Sequence, residues 1–195
     1  MKEDKSASQP SVPLNVPGAR ERIRRPRSRR SAPRTEFDYG PTRAMAAETQ
    51  KAMNALLADE FVLYVETLNF HWNVKGMQFH SLHIFFETLY EQQAELVDDI
   101  AEKVRSLGGI ALASLKGYLA AARIGGWEGE PPDPRTMVAR LAQDHRAIIA
   151  ELHEAYRLIH EKYDDPSTEN FLADLLEKHE KTTWMLQAHL DRELG

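Results

Sequence analysis

The chain has 195 residues, 42% of them hydrophobic and 28% charged, enough for one buried core plus an appendage. It has no cysteine, which excludes a disulfide framework and any thiolate metal site. No apolar run reaches the roughly 18 residues of a membrane span, and no hydrophobic stretch follows the first residues as in a secretory signal, so the composition fits a cytoplasmic protein without a membrane partner. The net charge of −5 is unevenly divided. Residues 1–43 hold 11 Lys+Arg against 5 Asp+Glu, a net of +6, and the rest holds 14 against 25, a net of −11. A basic arm on an acidic body suits a tail that seeks polyanions and a body that attracts cations.

Residues 1–43 are rich in Pro, Ser and Arg and nearly free of apolar residues, so a disordered tail is expected there, with a second unit over 44–195. Arg20, Arg22, Arg24, Arg25, Arg27, Arg29, Arg30 and Arg34 cluster within fifteen positions. Such a cluster binds the phosphates of double-stranded DNA by counterion release, without reading sequence. The plain alternative is a solvated tail. A targeting presequence is the third reading, against which stand Glu3, Asp4 and the lack of an apolar helical face.

Past the arm, a helix is expected from Met45 to Val74, with Met53, Leu57, Phe61, Tyr64, Leu68 and His71 on one stripe. Gly76 breaks the chain. A second helix follows over Phe79–Leu107, its apolar stripe running through Phe79, Leu82, Phe86, Leu89, Val97, Ile100, Val104 and Leu107. His83/Glu87 and Asp98/Glu102 lie on the flank of that stripe as two pairs four residues apart, so each pair can point at one spot. The two pairs start fifteen residues apart, about 22 Å along a helix, and metal–ligand bonds are about 2 Å long, so they cannot share a metal within one chain. An antiparallel copy of the helix across a two-fold axis would bring one chain's His83/Glu87 to the other's Asp98/Glu102, giving two sites per dimer. His71 can turn in as a further ligand. Two imidazoles with three carboxylates suit iron, with manganese or zinc as substitutes. His80 has no carboxylate partner and is expected to face outward.

Gly108-Gly109 ends the second helix. A short helix is expected over Leu112–Ala122, then a loop over Gly125–Pro134 that holds Trp127, for which packing or an interface is expected. The next helix runs from Pro134 to Tyr163 with Leu141, Ile148, Leu152 and Ile159 inward. His145, His153 and His160 on it read as solvated surface, since no two share a metal-sized spacing. Asp164-Asp165-Pro166 breaks the chain before a last helix over Ser167–Arg192, with Leu172, Leu175, Leu186 and Leu190 inward. No histidine has Glu three residues before it, so a metal site of the Glu-x-x-His type inside one bundle is excluded.

The run HWNVKG, then FxxLHxxFExxY, then DxxAE and a closing GG resembles the Dps family, the DNA-binding proteins from starved cells or mini-ferritins, over residues 45–193. The resemblance implies an all-α ferritin-like four-helix bundle with a short extra helix between its second and third helices, preceded by the basic tail. It implies an inter-subunit ferroxidase site with His71, His83 and Glu87 from one chain and Asp98 and Glu102 from its mate. Glu87 stands where the family often has Asp. In the family the residue matching Trp72 lies close to the iron, which makes Trp72 a candidate for intercepting stray oxidising equivalents. Asp164, Asp165 and Glu169 fall where an iron entry pore is expected, although Asn170 departs from the family's acidic pattern and a capped helix start explains the same acids.

The function expected is that of an iron-storing ferroxidase. It would assemble as a dodecameric shell, oxidise Fe(II) with hydrogen peroxide or dioxygen at di-iron sites, store ferric mineral, and protect DNA that it coats through its tail, in the cytoplasm and on the nucleoid. The reading from another class is a nucleoid-compacting structural protein whose metal site is vestigial or purely structural. A third is an acidic helical bundle whose histidines merely pack.

Overall fold

A computed structural model describes the protein over residues 43–191, with side chains from residue 47 onward. The expected arm, with its arginines from Arg20 to Arg34, lies outside the described residues. Five helices follow one another: α1 Arg43–Asn73, α2 Phe79–Ser106, α3 Leu115–Ala121, α4 Pro134–Lys162 and α5 Pro166–Leu190. Helices α1 and α2 form one antiparallel hairpin and α4 and α5 another; α1 also packs on α4, which closes a four-helix bundle, and carries α3 on its flank. The all-α expectation holds throughout the described residues. None of their helices is long and apolar enough to cross a membrane.

The breaks between helices have local causes. Gly76 takes φ +103° and Gly108 φ +81°, conformations that cost other residues a steric penalty. Gly109 allows a close approach, since a Cβ there would meet the Gln50 side chain of α1 and displace it. Gln50 uses that close approach to donate from Nε2 to the Leu107 carbonyl at 3.1 Å, capping the end of α2. Asp133 and Asp165 begin α4 and α5, each accepting two backbone N–H groups, with proline next in sequence. Helix α3 starts three residues later than expected. Asn54 holds Ile110 and Leu112 extended, donating to the Ile110 carbonyl at 3.0 Å and accepting from the Leu112 N–H at 2.8 Å. Ser114 then caps the helix by accepting from Gly117 N.

The core stripes largely follow the periodicity, with instructive exceptions. On α2, Leu82, Phe86, Leu89, Ile100 and Val104 are buried as expected, but Phe79 is 45% exposed and Val97 and Leu107 are half-buried. The true inward line runs 82-86-89-93-96-100-104 and so includes Gln93 and Leu96. A hydrophobicity count steps over polar Gln93 and slips to Val97. On α1, Met53 and Leu57 are buried, joined by Leu56, Leu63 and Phe70, whereas Phe61, Tyr64 and Leu68 sit half-buried on the rim. Trp127 packs into the core, edge-on to Phe70 with ring centroids 6.1 Å apart, and its indole N–H donates to the Glu130 carbonyl at 2.9 Å.

One buried charge ties the inter-hairpin loop to α1. Asp59, fully buried, accepts from the Arg123 Nε at 2.8 Å and from the backbone N–H groups of Arg123 and Ile124. Arg123 also pairs with Glu151 on α4, so one side chain joins α1, the loop and α4. Removing the acid strands two backbone donors and a guanidinium. Asp59→Ala should therefore cost about 3 kcal/mol in urea denaturation, while Glu151→Ala, at the exposed end of the chain of charges, should cost under about 1 kcal/mol.

Candidate metal centre

Helix α1 ends at Asn73, and its last backbone hydrogen bond beyond that point runs from Val74 N to the Phe70 carbonyl. The His71 carbonyl is one of the acceptors a helix C-terminus leaves free. His83, in the second turn of α2, fills it: His83 Nδ1 lies 2.9 Å from the His71 oxygen. The relation is reciprocal, for His71 Nδ1 lies 2.9 Å from the His83 oxygen. The two rings stack, centroids 3.8 Å apart and planes within 18°.

This arrangement fixes the tautomers. A carbonyl can only accept, so each Nδ1 carries the proton and donates it, and each neutral ring keeps a lone pair on Nε2. That is the form in which histidine ligates metal with its other nitrogen tied to a carbonyl. The stack continues on both sides. Phe79 lies over His83 at 5.0 Å, and Tyr90 meets His71 edge-on at 5.1 Å. The Tyr90 phenol is held above its ordinary pKa by burial and by the carboxylates of Glu87 and Glu91.

His71 is buried, and His83 and Glu87 are half-buried on the same end of the hairpin. Asp98 and Glu102 lie on the same unbroken helix but far down it, both exposed. The structure thus brings His71 and His83 together and leaves Asp98/Glu102 about 22 Å from His83 by helical rise. Among the described residues no three His, Asp or Glu side chains of one chain converge on a metal-sized point. Around the histidine pair the surface is unusually apolar: Trp72 is 69% exposed, and Met77, Phe79 and Ile84 are also open.

The acids expected at a pore are partly engaged. Asp165 caps α5, one carboxylate oxygen accepting from Ser167 N and Thr168 N and the other from the Thr168 hydroxyl. Glu169 lies 3.3 Å from the His160 imidazole. Asp164 is exposed and takes φ +50°, the left-handed turn that separates α4 from α5.

His153 and His160 are exposed as expected, and His145 is not. It is buried, on the inward line of α4 between Leu141 and Ile148, where the four- and three-residue steps place it. Its Nδ1 lies 2.8 Å from Nδ1 of His179 on α5, and His179 Nε2 lies 2.5 Å from Glu60 on α1. The two Nδ1 atoms share one hydrogen bond, and among the described residues His145 Nε2, His179 Nε2 and both Glu60 carboxylate oxygens make no aligned hydrogen bond. Burial, then His179, pushes the His145 pKa well below the ordinary value. The apolar bundle interior therefore encloses a polar cluster, although it lacks Glu-x-x-His. His145 was legible from its stripe position, and His179, of which the sequence reading said nothing, lies on the inward line of α5 with Leu172, Leu175 and Leu186.

A second buried acid lies on the same two helices. Glu66 on α1 faces Asp144 on α4, with Arg140 Nε 3.3 Å from the former and 2.8 Å from the latter. Burial, then the Asp144 carboxylate, pushes Glu66 up to about 9.

The family model for a ferritin-like domain matches residues 50–194. A low temperature-induced protein of Nostoc is 40% identical over 139 residues, 71% of this chain and 78% of that one. DNA protection during starvation protein 2 of Bacillus anthracis is 35% identical over 149 residues, covering 76% of this chain and all of that one. The crystal structure of the Dps protein from Vibrio cholerae, described as a ferritin-like diiron-carboxylate protein, superposes with a TM-score of 0.71 at 30% identity, covering 75% of this chain and 91% of that one. The chain has the ferritin-like fold and belongs to the Dps family.

The Glu66 environment has a measurable consequence. The folded state holds that proton up to about 9, whereas the ordinary value is 4.5, so the folded chain binds it more tightly than the unfolded one and raising the pH through this window costs stability. Thermal denaturation should show the melting temperature of the parent falling from pH 6 to pH 9, with a visibly flatter profile for Glu66→Gln. A parallel decline in both proteins would show that Glu66 does not hold the proton.

Proposed function

We propose that the protein is an iron-storing ferroxidase of the mini-ferritin type, with His71, His83 and Glu87 of one subunit and Asp98 and Glu102 of its two-fold partner binding the iron. The observation that carries this is the reciprocal His71–His83 lock, which presents two neutral Nε2 lone pairs at the end of a hairpin bearing Glu87. Asp98 and Glu102 are exposed and make no hydrogen bond or ion pair among the described residues, so a second copy could receive them. The apolar surface of Trp72, Met77, Phe79 and Ile84 gives that copy something to cover. The names of relatives, which speak of diiron-carboxylate proteins and of DNA protection during starvation, support the same reading.

Iron is the substrate here. Two ferrous ions give one electron each to hydrogen peroxide, or more slowly to dioxygen; with peroxide and two protons the products are two ferric ions and two waters. The protein's contribution is to hold both ions beside a carboxylate-rich, hard donor set that prefers the ferric product, in a pocket the partner closes. Zinc or manganese would occupy the same donors. The net charge of −11 on residues 44–195 draws Fe(II) toward a hollow dodecameric shell, with Asp164 and Glu169 at its entry pore and Asp165 largely spent on its cap. The arginines Arg20, Arg22, Arg24, Arg25, Arg27, Arg29, Arg30 and Arg34 bind double-stranded DNA through its phosphates, and the setting this reading implies is the cytoplasm, on the nucleoid.

Two experiments separate these parts. Anaerobic Fe(II) loading followed by peroxide should give fast growth of ferric absorbance and soluble iron, both lost in His83→Ala/Asp98→Ala. Equal rates in the two proteins would leave a DNA-binding shell with an inactive site. Removing residues 1–43 should abolish DNA retardation at physiological salt while iron oxidation continues. Retardation that survives the deletion would move DNA binding to the helical body.

A further inference from the structure

Helices α2 and α5 belong to different hairpins and are not among the helix pairs in closest contact, which are α1–α2, α4–α5, α1–α3 and α1–α4. The seam between them holds a cavity of about 380 Å³. Its buried floor is polar. Gln93 is 2% exposed, yet neither its amide nitrogen nor its amide oxygen has a hydrogen-bond partner. His145 lines the same floor, with Nδ1 spent on His179 and Nε2 unpartnered. Gln93 stands on the inward line of α2, where the helical period calls for an apolar side chain.

Leaving such atoms unpaired is costly, so the cavity calls for a polar guest. Its surroundings narrow the chemistry. Among the described residues no three carboxylate or imidazole side chains converge on a metal-sized point, which leaves the floor without a donor set for a bare cation. Leu89 and Leu96 of α2 and Met185 of α5 complete the walls, and such side chains pack well on a ring and gain nothing from water. The floor carries no charge: Gln93 is an amide, and burial, then His179, holds His145 well below its ordinary pKa and so neutral. At the rim, exposed Glu95 and Asp99 of α2 and Lys181 of α5 mix both signs, so an anion gains little there.

We propose that the α2–α5 cavity binds a neutral planar heterocycle with a hydrogen-bond donor and acceptor side by side on one edge, the chemistry of a free nucleobase or its nucleoside. The edge pairs with both amide atoms of Gln93, as glutamine pairs in two bonds with adenine. His145 Nε2 supplies a third polar point, donating or accepting according to which Nδ1 holds the shared hydrogen. The ring lies between the two leucines and Met185 and joins the hairpins across this seam. A base stacked and paired in duplex DNA cannot enter such a pocket, so the guest is a free small molecule. The site is also separate from the proposed iron centre, since Asp99 stands about 100° round α2 from Asp98.

The test uses full-length, iron-free protein, so it does not depend on the ferroxidase reading. Each probe is added to the finished assembly and, separately, is present while unfolded subunits reassemble, which covers a mouth closed by a neighbouring subunit. The probes are adenine, hypoxanthine, cytosine and uracil, the nucleosides adenosine and cytidine, and toluene as a ring without a polar edge. Saturation-transfer NMR and calorimetry follow binding. At least one base should bind stoichiometrically and raise the melting temperature, with toluene about tenfold weaker or more. Gln93→Leu, which keeps the bulk and removes the edge, should weaken the base about tenfold or more while melting no lower than the parent. Gln143→Leu, exposed on α4, should bind as the parent does. A nucleoside that binds as tightly as its base places the ribose at the rim, and one that is excluded assigns the site to free bases. Should Gln93→Leu fail to fold, the comparison of bases with toluene on the parent decides. No base bound under either protocol, toluene bound as tightly as the bases, or a base bound equally by Gln93→Leu would overturn the proposal.

Discussion

The hydrogen bonds exchanged between His71 and His83 organise this end of the molecule. Each imidazole donates to the other residue's carbonyl, so the end of α1 is capped by a residue of α2 and the two helices are held in one register across the Gly76 turn. The same bonds decide chemistry. Were either ring free to rotate, its lone pair would point to different places in different molecules; with Nδ1 committed, Nε2 is left unprotonated and fixed. A structural cap and a metal-ready tautomer are here the same interaction. The Phe79 ring on one side and Tyr90 on the other pin the stack sideways.

Around that lock the chain divides its electrostatics by depth. Asp98 and Glu102 are left exposed, which costs little in water and becomes useful only if a second copy of α2 runs past them. Inside the bundle the acids are neutralised instead of displayed. Glu66 holds a proton against Asp144, Asp59 is consumed by Arg123 and two backbone donors, and Glu60 faces His179. These buried groups contribute specificity of packing more than net stability, since a desolvated charge regains from its partner little beyond what it lost from water.

Much of this was legible in the sequence. The helix breaks at Gly76, Gly108 and Asp133-Pro134, the exposed state of His80, and the presence of both i,i+4 pairs on one unbroken helix follow from turn chemistry and from the 3.6-residue period. What could not be read was the inside of the bundle. His145 reads as surface because it is polar, and Gln93 drops out of an apolar stripe for the same reason, yet each sits at a position the period makes inward. Phe79 was taken into the core because it is apolar, yet it stacks on His83 and remains half-open. Hydrophobicity and position usually agree, and at this site they part. The His71–His83 reciprocity was also invisible, because a side chain to backbone bond across a turn leaves no periodic mark.

The central claim is that the site is assembled from two subunits, and mixed shells test it most directly. His83→Ala and Asp98→Ala subunits, each inactive as a pure assembly, would be unfolded together, reassembled, and assayed for ferrous oxidation by peroxide. In a mixed pair related by a two-fold axis, one site carries both lesions and the other carries neither, so random mixing should restore about a quarter of the parental activity. No recovery, in shells shown by mass spectrometry to contain both subunits, would contradict a site shared across the two-fold axis.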